Sequence, residues 1–242
     1  MSILSNDIPN STFIHIPKCA GISVSHWYSE SFSRKKLKSY NHAPVKYFKE
    51  ELGLDNHFTW SIVRNPYDRA VSWYQYQGYL LKFINEFFGN NDHWNISRHL
   101  LERFSELDYR ENQDSFSASV DVNHLLNDWN KGFDYWLENC SDTARMEFRT
   151  FPTFVDPDSP RFDFKTNQTW WLTDSKNNIV IDQFVKFENI NNELPIIEKQ
   201  LNKSIRLQHL NPTVKNETIT LNKWAKKKIE TIFQDDFDRL NY

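Results

Sequence analysis

Two strand-to-helix turns in the first third of the chain predict an α/β fold with a central parallel sheet flanked by helices. In the first, Thr12-Phe13-Ile14-His15-Ile16 reads as a short buried strand, Pro17-Lys18-Cys19-Ala20 as a turn carrying a lysine, and Gly21-Ile22-Ser23 as a helix start. In the second, Phe58-Thr59-Trp60-Ser61-Ile62-Val63 is the strand, Arg64 stands at the turn, and Asn65-Pro66 opens a helix. The third observation is the order of elements over residues 13–88, which alternates strand and helix three times. Such alternation predicts parallel strands joined by right-handed crossovers, with helices packed on both faces of the sheet.

The elements follow in order. Pro17 ends the first strand, because proline lacks the amide a ladder needs. From Gly21 to about Phe32, the residues Ile22, Val24, Trp27, Tyr28 and Phe32 fall at helical spacing. Arg34 to Lys38 is a basic surface run leading into a short strand over 37–40. A helix is expected from Pro44, which suits a first helical position, with Val45, Phe48 and Leu52 on one face and Gly53 as its stop. After the strand over 58–63, Asn65 caps a helix, Pro66 fits its first turn and Asp68 lies near the positive end of its dipole. That helix runs to about Phe88. Helix is expected over 94–107 and 120–140, with Trp129, Phe133, Trp136 and Leu137 as a stripe in the latter. Residues 150–160 read as a surface loop, 179–187 as strand, and 194–201 and 221–237 as helix. No internal repeat or linker interrupts the 242 residues, which predicts a single domain over 1–242.

Composition excludes several classes. The net charge of −3 and pI near 6.2 argue against a nucleic-acid partner, whose binders are strongly basic. The two cysteines, Cys19 and Cys140, make no disulfide framework and point to a reducing compartment. Residues 1–10 lack the basic-then-apolar build of a signal peptide, and no window approaches the ~18 apolar residues of a membrane helix. The expectation is a soluble, cytoplasmic protein with no membrane partner. Asn167-Gln168-Thr169 has the form of a glycosylation acceptor, but such triplets are expected by chance in an asparagine-rich chain.

The chemistry of the first turn is that of an anion cradle. A helix N-terminus presents unpaired amides and partial positive charge. Lys18 stands just before them, Gly21 lets the backbone approach a ligand closely, and Ser23 adds a hydroxyl. The pattern differs from the nucleotide-binding loop Gly-x-x-x-x-Gly-Lys-Ser/Thr, where lysine follows the glycine turn. The same residues also suit a plain strand-helix connection with a solvated lysine. At the second turn, Arg64 falls at the carboxyl end of a strand, where open parallel sheets bind ligands. Ser72 lies six residues past Pro66, about 9 Å along the helix axis at ~1.5 Å per residue. Arg64 and Ser72 could hold one phosphate against the helix flank; equally, Arg64 could pair locally and Ser72 pack as a small residue. Arg69 is read as a structural ion-pairing residue.

Taken together, the two stretches resemble the sulfotransferases that use 3′-phosphoadenosine 5′-phosphosulfate (PAPS), in particular the branch that includes carbohydrate 2-O-sulfotransferases. That family carries a Pro-Lys-Thr-Gly/Ala-Gly/Ser-Thr-Ser-like loop, matched by Pro17-Lys18-Cys19-Ala20-Gly21-Ile22-Ser23. It also carries Val-Arg-Asn/Asp-Pro-x-x-Arg-x-x-Ser, matched by Val63 to Ser72. Phe187-Glu188-Asn189, His209-Leu210-Asn211, Asp236-Phe237 and Tyr242 are similar to the branch's closing pattern. Cys19 and Ile22 depart from it where hydroxyl residues are frequent, and Cys19 raises the further idea of a thiol activated by the helix terminus.

The resemblance implies a P-loop-like three-layer fold, PAPS as sulfuryl donor with no metal, and a hydroxyl acceptor, expected to be a carbohydrate. It implies that Lys18, Cys19, Ala20, Gly21, Ile22 and Ser23 cradle the 5′-phosphosulfate, with Lys18 also stabilising the leaving oxygen. Arg64 and Ser72 would bind the 3′-phosphate. A hydroxyl nucleophile needs a general base, and His42 is the candidate: it precedes Ala43-Pro44 at a strand-to-helix junction, where related enzymes place a histidine. His15 reads as structural, His57 as a loop residue, and His209 as structural or site-lining. Glu188 fits a supporting or substrate-contacting role, or an ion pair. Trp170-Trp171 is a candidate substrate wall, whereas Trp73 and Tyr74 read as core. The competing classes are an ATP-dependent phosphotransferase on a related fold and a non-catalytic glycan-binding module.

Overall fold

A computed structural model describes residues 1–7, 9–40, 42–88, 122–140, 164–208 and 218–242. The expected helix over 94–107, the loop over 150–160 and the histidine motif at His209 lie outside these residues. The chain divides into two compact units. One comprises 1–69, 166–218 and 226–242; the other comprises 70–165 and 219–225.

The first unit holds a five-stranded sheet built from β1 (Ser2–Ser5), β2 (Ser11–Ile14), β3 (Leu37–Tyr40), β4 (Phe58–Val63) and β5 (Gln183–Lys186), in the order β3-β1-β2-β4-β5. β2, β4 and β5 run parallel, with Ile14 opposite Ser61 and Val63 opposite Lys186. β1 runs antiparallel to both β2 and β3. The class is therefore mixed α/β, and the all-parallel sheet expected from the element order is corrected. The physical reason is β1. It joins β2 by a short connection, which closes an antiparallel hairpin, and it then takes the place beside β2 that a parallel β3 would have filled. Its four residues are all buried, two of them serines. Ser2 satisfies its hydroxyl internally, donating to the Ala43 carbonyl at 2.9 Å and accepting from the His15 amide at 3.0 Å.

Helix α1 (Gly21–Ser31) packs on β1. Trp27 and Tyr28 turn inward, and the Tyr28 hydroxyl accepts from Trp60 Nε1 at 2.8 Å and meets Ser11 Oγ at 3.1 Å. Phe13, Ile14, Ile16, Val24, Trp60, Ile62 and Val63 complete a core with no exposed surface. The helix expected from Pro44 is instead dominated by a π-turn, Tyr47–Glu51. Its wider i→i+5 spacing keeps Val45 and Phe48 buried but carries Leu52 off their face, to 39% exposure. Gly53, at φ +64°, ends it.

Helix α2 (Pro66–Phe88) starts in the first unit and continues in the second. Within the second unit, α3 (Val122–Asn130) breaks at Gly132, φ +100°, before a further turn over Phe133–Tyr135 and Trp136–Cys140. Tyr74 stacks on Trp129 at 4.8 Å, and the two exchange hydrogen bonds: Trp129 Nε1 to the Tyr74 carbonyl, 2.9 Å, and Tyr74 hydroxyl to the Trp129 carbonyl, 3.2 Å. Trp73 and Tyr74 are core residues, as expected. Back in the first unit, α4 (Thr169–Leu172) precedes β5, and α5 (Ile190–Leu201) packs on β5. The C-terminal helix expected over 221–237 is two: α6 (Lys223–Ile232) and α7 (Gln234–Leu240), parted at the buried Phe233. Among the described residues no helix is long and apolar enough to cross a membrane.

Candidate functional site

β2 and β4 are adjacent and parallel, so the chain leaves both at the same edge, where ligands of open α/β sheets sit. Lys18 follows β2 and Arg64 follows β4. The structure brings these two turns together: Arg64 Nη1 donates to the Lys18 carbonyl at 3.2 Å. The Arg64 guanidinium carbon lies over the Phe187 ring, 4.8 Å from its centre. Its Nε is buried and finds no hydrogen-bond acceptor among the described residues. An orphaned guanidinium donor is costly without a ligand and well used with an anionic one.

Backbone strain collects here. Six non-glycine residues among those described have positive φ; Asn177, Asn202 and Asn241 are of the type that tolerates it. The other three are Lys18 at +69°, Ala20 at +62° and His42 at +50°. Left-handed backbone at such residues persists where the surrounding structure enforces it, typically around ligand sites. At the first turn it leaves Ala20 as the N-cap of α1 with no side-chain cap, so the helix terminus keeps its amides for another partner. Lys18 is half-buried. Desolvation, followed by the positive charge of Arg64, pulls its ammonium down to about 7.

Of the remaining loop residues, Ser23 is buried and Ile22 is 51% exposed. Cys19 is buried, and burial pushes its thiol up to about 12. It is a protonated donor, so the thiol activation suggested by its place at a helix terminus is overridden by desolvation. Gly21 also makes room for the His15 ring: a Cβ there would lie 1.9 Å from it. We expect Gly21→Ala to cost about 2–3 kcal/mol of stability in urea unfolding, the scale of overpacking a rigid core.

His15 is structural, as expected, and it links the lysine turn to His42. Its ring packs on His42 at 4.3 Å, and its carbonyl accepts from His42 Nδ1 at 3.0 Å. A carbonyl only accepts, so Nδ1 carries the proton and the neutral ring keeps its lone pair on Nε2. Trp171 Nε1 donates to the His42 carbonyl at 3.0 Å. Burial lowers the His42 pKa to about 3, which keeps the ring neutral.

The tryptophan pair divides: Trp171 is fully buried, whereas Trp170 is half-buried with the Lys46 ammonium 5.1 Å from its ring centre. Ser72 is buried on α2 within the second unit. His57 is a sheet-flank residue, 3.4 Å from Thr12 Oγ1. Glu188 accepts from the Asn65 amide at 2.7 Å and from the Tyr242 hydroxyl at 3.2 Å, so it braces the start of α2. Arg69 is fully buried, donating to the carbonyls of Pro17 at 3.3 Å and Thr166 at 3.1 Å.

Two contributors escape a sequence reading. Ser2 holds both His15 and the segment carrying His42, in a stretch without strand-like composition. Gln168 is fully buried against the Arg64 turn, inside a triplet that looks like a chance glycosylation signal. Comparison of the chain with protein-family models, with curated proteins and with solved structures finds no match.

Proposed function

We propose that the protein is a PAPS-dependent sulfotransferase acting on a hydroxyl acceptor, with a carbohydrate as the class favoured by the sequence resemblance. The observation that carries this reading is the meeting of two cationic strand ends, Lys18 and Arg64, in contact through the Lys18 carbonyl beside an uncapped helix terminus. That arrangement suits a ligand with two separated anionic groups, one at each turn. In this reading the amides of Gly21, Ile22 and Ser23 and the Lys18 ammonium receive the 5′-phosphosulfate. Arg64 receives the 3′-phosphate.

Sulfuryl transfer is an in-line displacement: the acceptor oxygen bonds to sulfur as the sulfur–oxygen bond to the phosphate breaks. The acceptor proton passes to His42 Nε2. Lys18 meets the charge that develops on the departing oxygen. Catalysis of this kind rests on positioning and fixed charge, and strained, enforced backbone at Lys18, Ala20 and His42 is what such positioning requires.

The test is calorimetric titration with 3′-phosphoadenosine 5′-phosphate (PAP) against ATP, followed by transfer of labelled sulfate to an acceptor panel. PAP is expected to bind at least tenfold more tightly than ATP, a margin of about 1.4 kcal/mol for the added phosphate contact. A preference for ATP with magnesium would assign a phosphotransferase instead, and binding of glycans without transfer would assign a lectin-like module. Arg64→Ala is expected to weaken PAP about a hundredfold, the loss of a charge-assisted phosphate pair. Unchanged affinity would remove Arg64 from the 3′-phosphate site.

A further inference from the structure

Gln168 lies outside both turn motifs in the sequence, yet its side chain bonds to both turns. Its side chain is fully buried and makes four hydrogen bonds. Oε1 accepts from the Arg64 amide at 2.8 Å and from Cys19 Sγ at 3.3 Å; Nε2 donates to the Arg64 carbonyl at 2.8 Å and to Asp236 Oδ2 at 3.2 Å. Those contacts use the whole capacity of a primary amide, two donors and one oxygen with two lone pairs.

The paired bonds to the Arg64 amide and carbonyl have the form of a strand neighbour. Arg64 is the first residue beyond the β4–β5 ladder, which ends at Val63 opposite Lys186. Gln168 extends the ladder by one residue where no strand is left to do so. The bond from Cys19 fastens the lysine turn to the same amide oxygen. Asp236 anchors the arrangement from α7: its other oxygen accepts from the Thr169 amide at 3.0 Å. Burial raises its pKa, and the nearby Arg69 guanidinium opposes that rise.

We infer that Gln168 is a positioning residue that sets the spacing between the Lys18 turn and the Arg64 turn. It thereby selects ligands whose two anionic groups are held at that spacing. The inference rests on the two-anion reading above. A ligand that engages two sites at once gains affinity only while the geometry lets both engage together. Loosening the joint therefore costs a diphosphate its second contact but leaves a monophosphate, which uses one turn, almost untouched. A residue that only stabilised the fold would affect all ligands alike.

The experiment compares the wild-type chain with Gln168→Met, which keeps the shape without the amide, and Gln168→Asn, which keeps the amide one methylene short. Calorimetry with PAP, adenosine 5′-phosphate and adenosine 3′-phosphate reads the ligands separately, and thermal melting reads the fold. In a folded variant PAP should weaken roughly tenfold or more while each monophosphate stays within about twofold, as lost avidity requires. A parallel fall for all three ligands, or unchanged PAP affinity, would overturn the inference. Loss of the folded state in both variants would assign Gln168 to the fold alone and overturn it as well. Wild-type protein that binds PAP no better than the monophosphates would instead overturn the two-anion reading itself.

Discussion

His42→Ala should lower turnover by about 10²–10⁴-fold, the usual contribution of a positioned general base, while leaving PAP affinity within about twofold of wild type. His42 is held by three contacts from two residues: its Nδ1 by the His15 carbonyl, its ring by the His15 imidazole, and its carbonyl by Trp171. These contacts choose the tautomer and orient Nε2. Burial, which brings the His42 pKa to about 3, decides the charge state. The lowered value means the folded protein takes up no proton on this ring as the pH falls from 8 to 5. The pH profile of kcat/KM should therefore lack the acid-side fall near 6.5 that a solvent-exposed histidine base would give. The same burial makes the ring a weak base. The His15 carbonyl offsets part of this, because its bond to Nδ1 favours the imidazolium that the proposed proton transfer to Nε2 would form. Steady-state assays with His42→Ala, together with PAP titration, check both halves. Full turnover in the variant would remove His42 as the base. Loss of PAP affinity in parallel would make it a fold residue.

The parts of this site that a sequence reveals are those whose chemistry is local. Lys18 and Arg64 announce themselves because each stands at a strand-to-helix junction within a dozen residues, and both junctions occur in the structure. Phe13, Trp60 and Val63 are equally readable, since alternating apolar residues between turn signals have few other uses. What stays hidden depends on distant partners. Gln168 lies 104 residues from Arg64, and no local pattern distinguishes a glutamine that mimics a strand from one facing water. β1 is hidden for another reason. Ser2 and Ser5 are polar by composition, but the sheet buries them, and Ser2 finds both of its partners inside. Missing that strand made the alternation look purely parallel. The π-turn over Tyr47–Glu51 is also invisible to helical periodicity, which assumes 3.6 residues per turn and so misplaced Leu52.

Lys18 should make ligand affinity depend on pH in a way that Arg64 does not. In the ligand-free protein, burial and then the neighbouring Arg64 charge bring the Lys18 pKa to about 7. A bound anion favours the ammonium and raises that value, so binding takes up a proton at any pH between the free and bound pKa values. The contribution of Lys18 is fully present below 7 and is lost as the pH rises above it. PAP affinity should therefore fall by up to tenfold per pH unit between 7 and 9, the slope expected for one linked proton. Calorimetry at pH 6, 7, 8 and 9, in buffers of different ionisation enthalpy, measures both the affinity and the proton uptake. In Lys18→Arg the guanidinium stays charged throughout this range, and the dependence should flatten even if the longer head group binds less well. Lys18→Ala should also flatten it, and should reduce turnover by about 10²–10³-fold, the effect of removing one preorganised donor from developing negative charge. A steep fall that persists in both variants would place the titrating cation elsewhere. The depressed pKa has a mechanistic use as well. A lysine that is half-neutral near pH 7 is spared part of the cost of burying two cations side by side. On the proposed reading, an arriving phosphosulfate would restore its charge at the place where the leaving oxygen needs it.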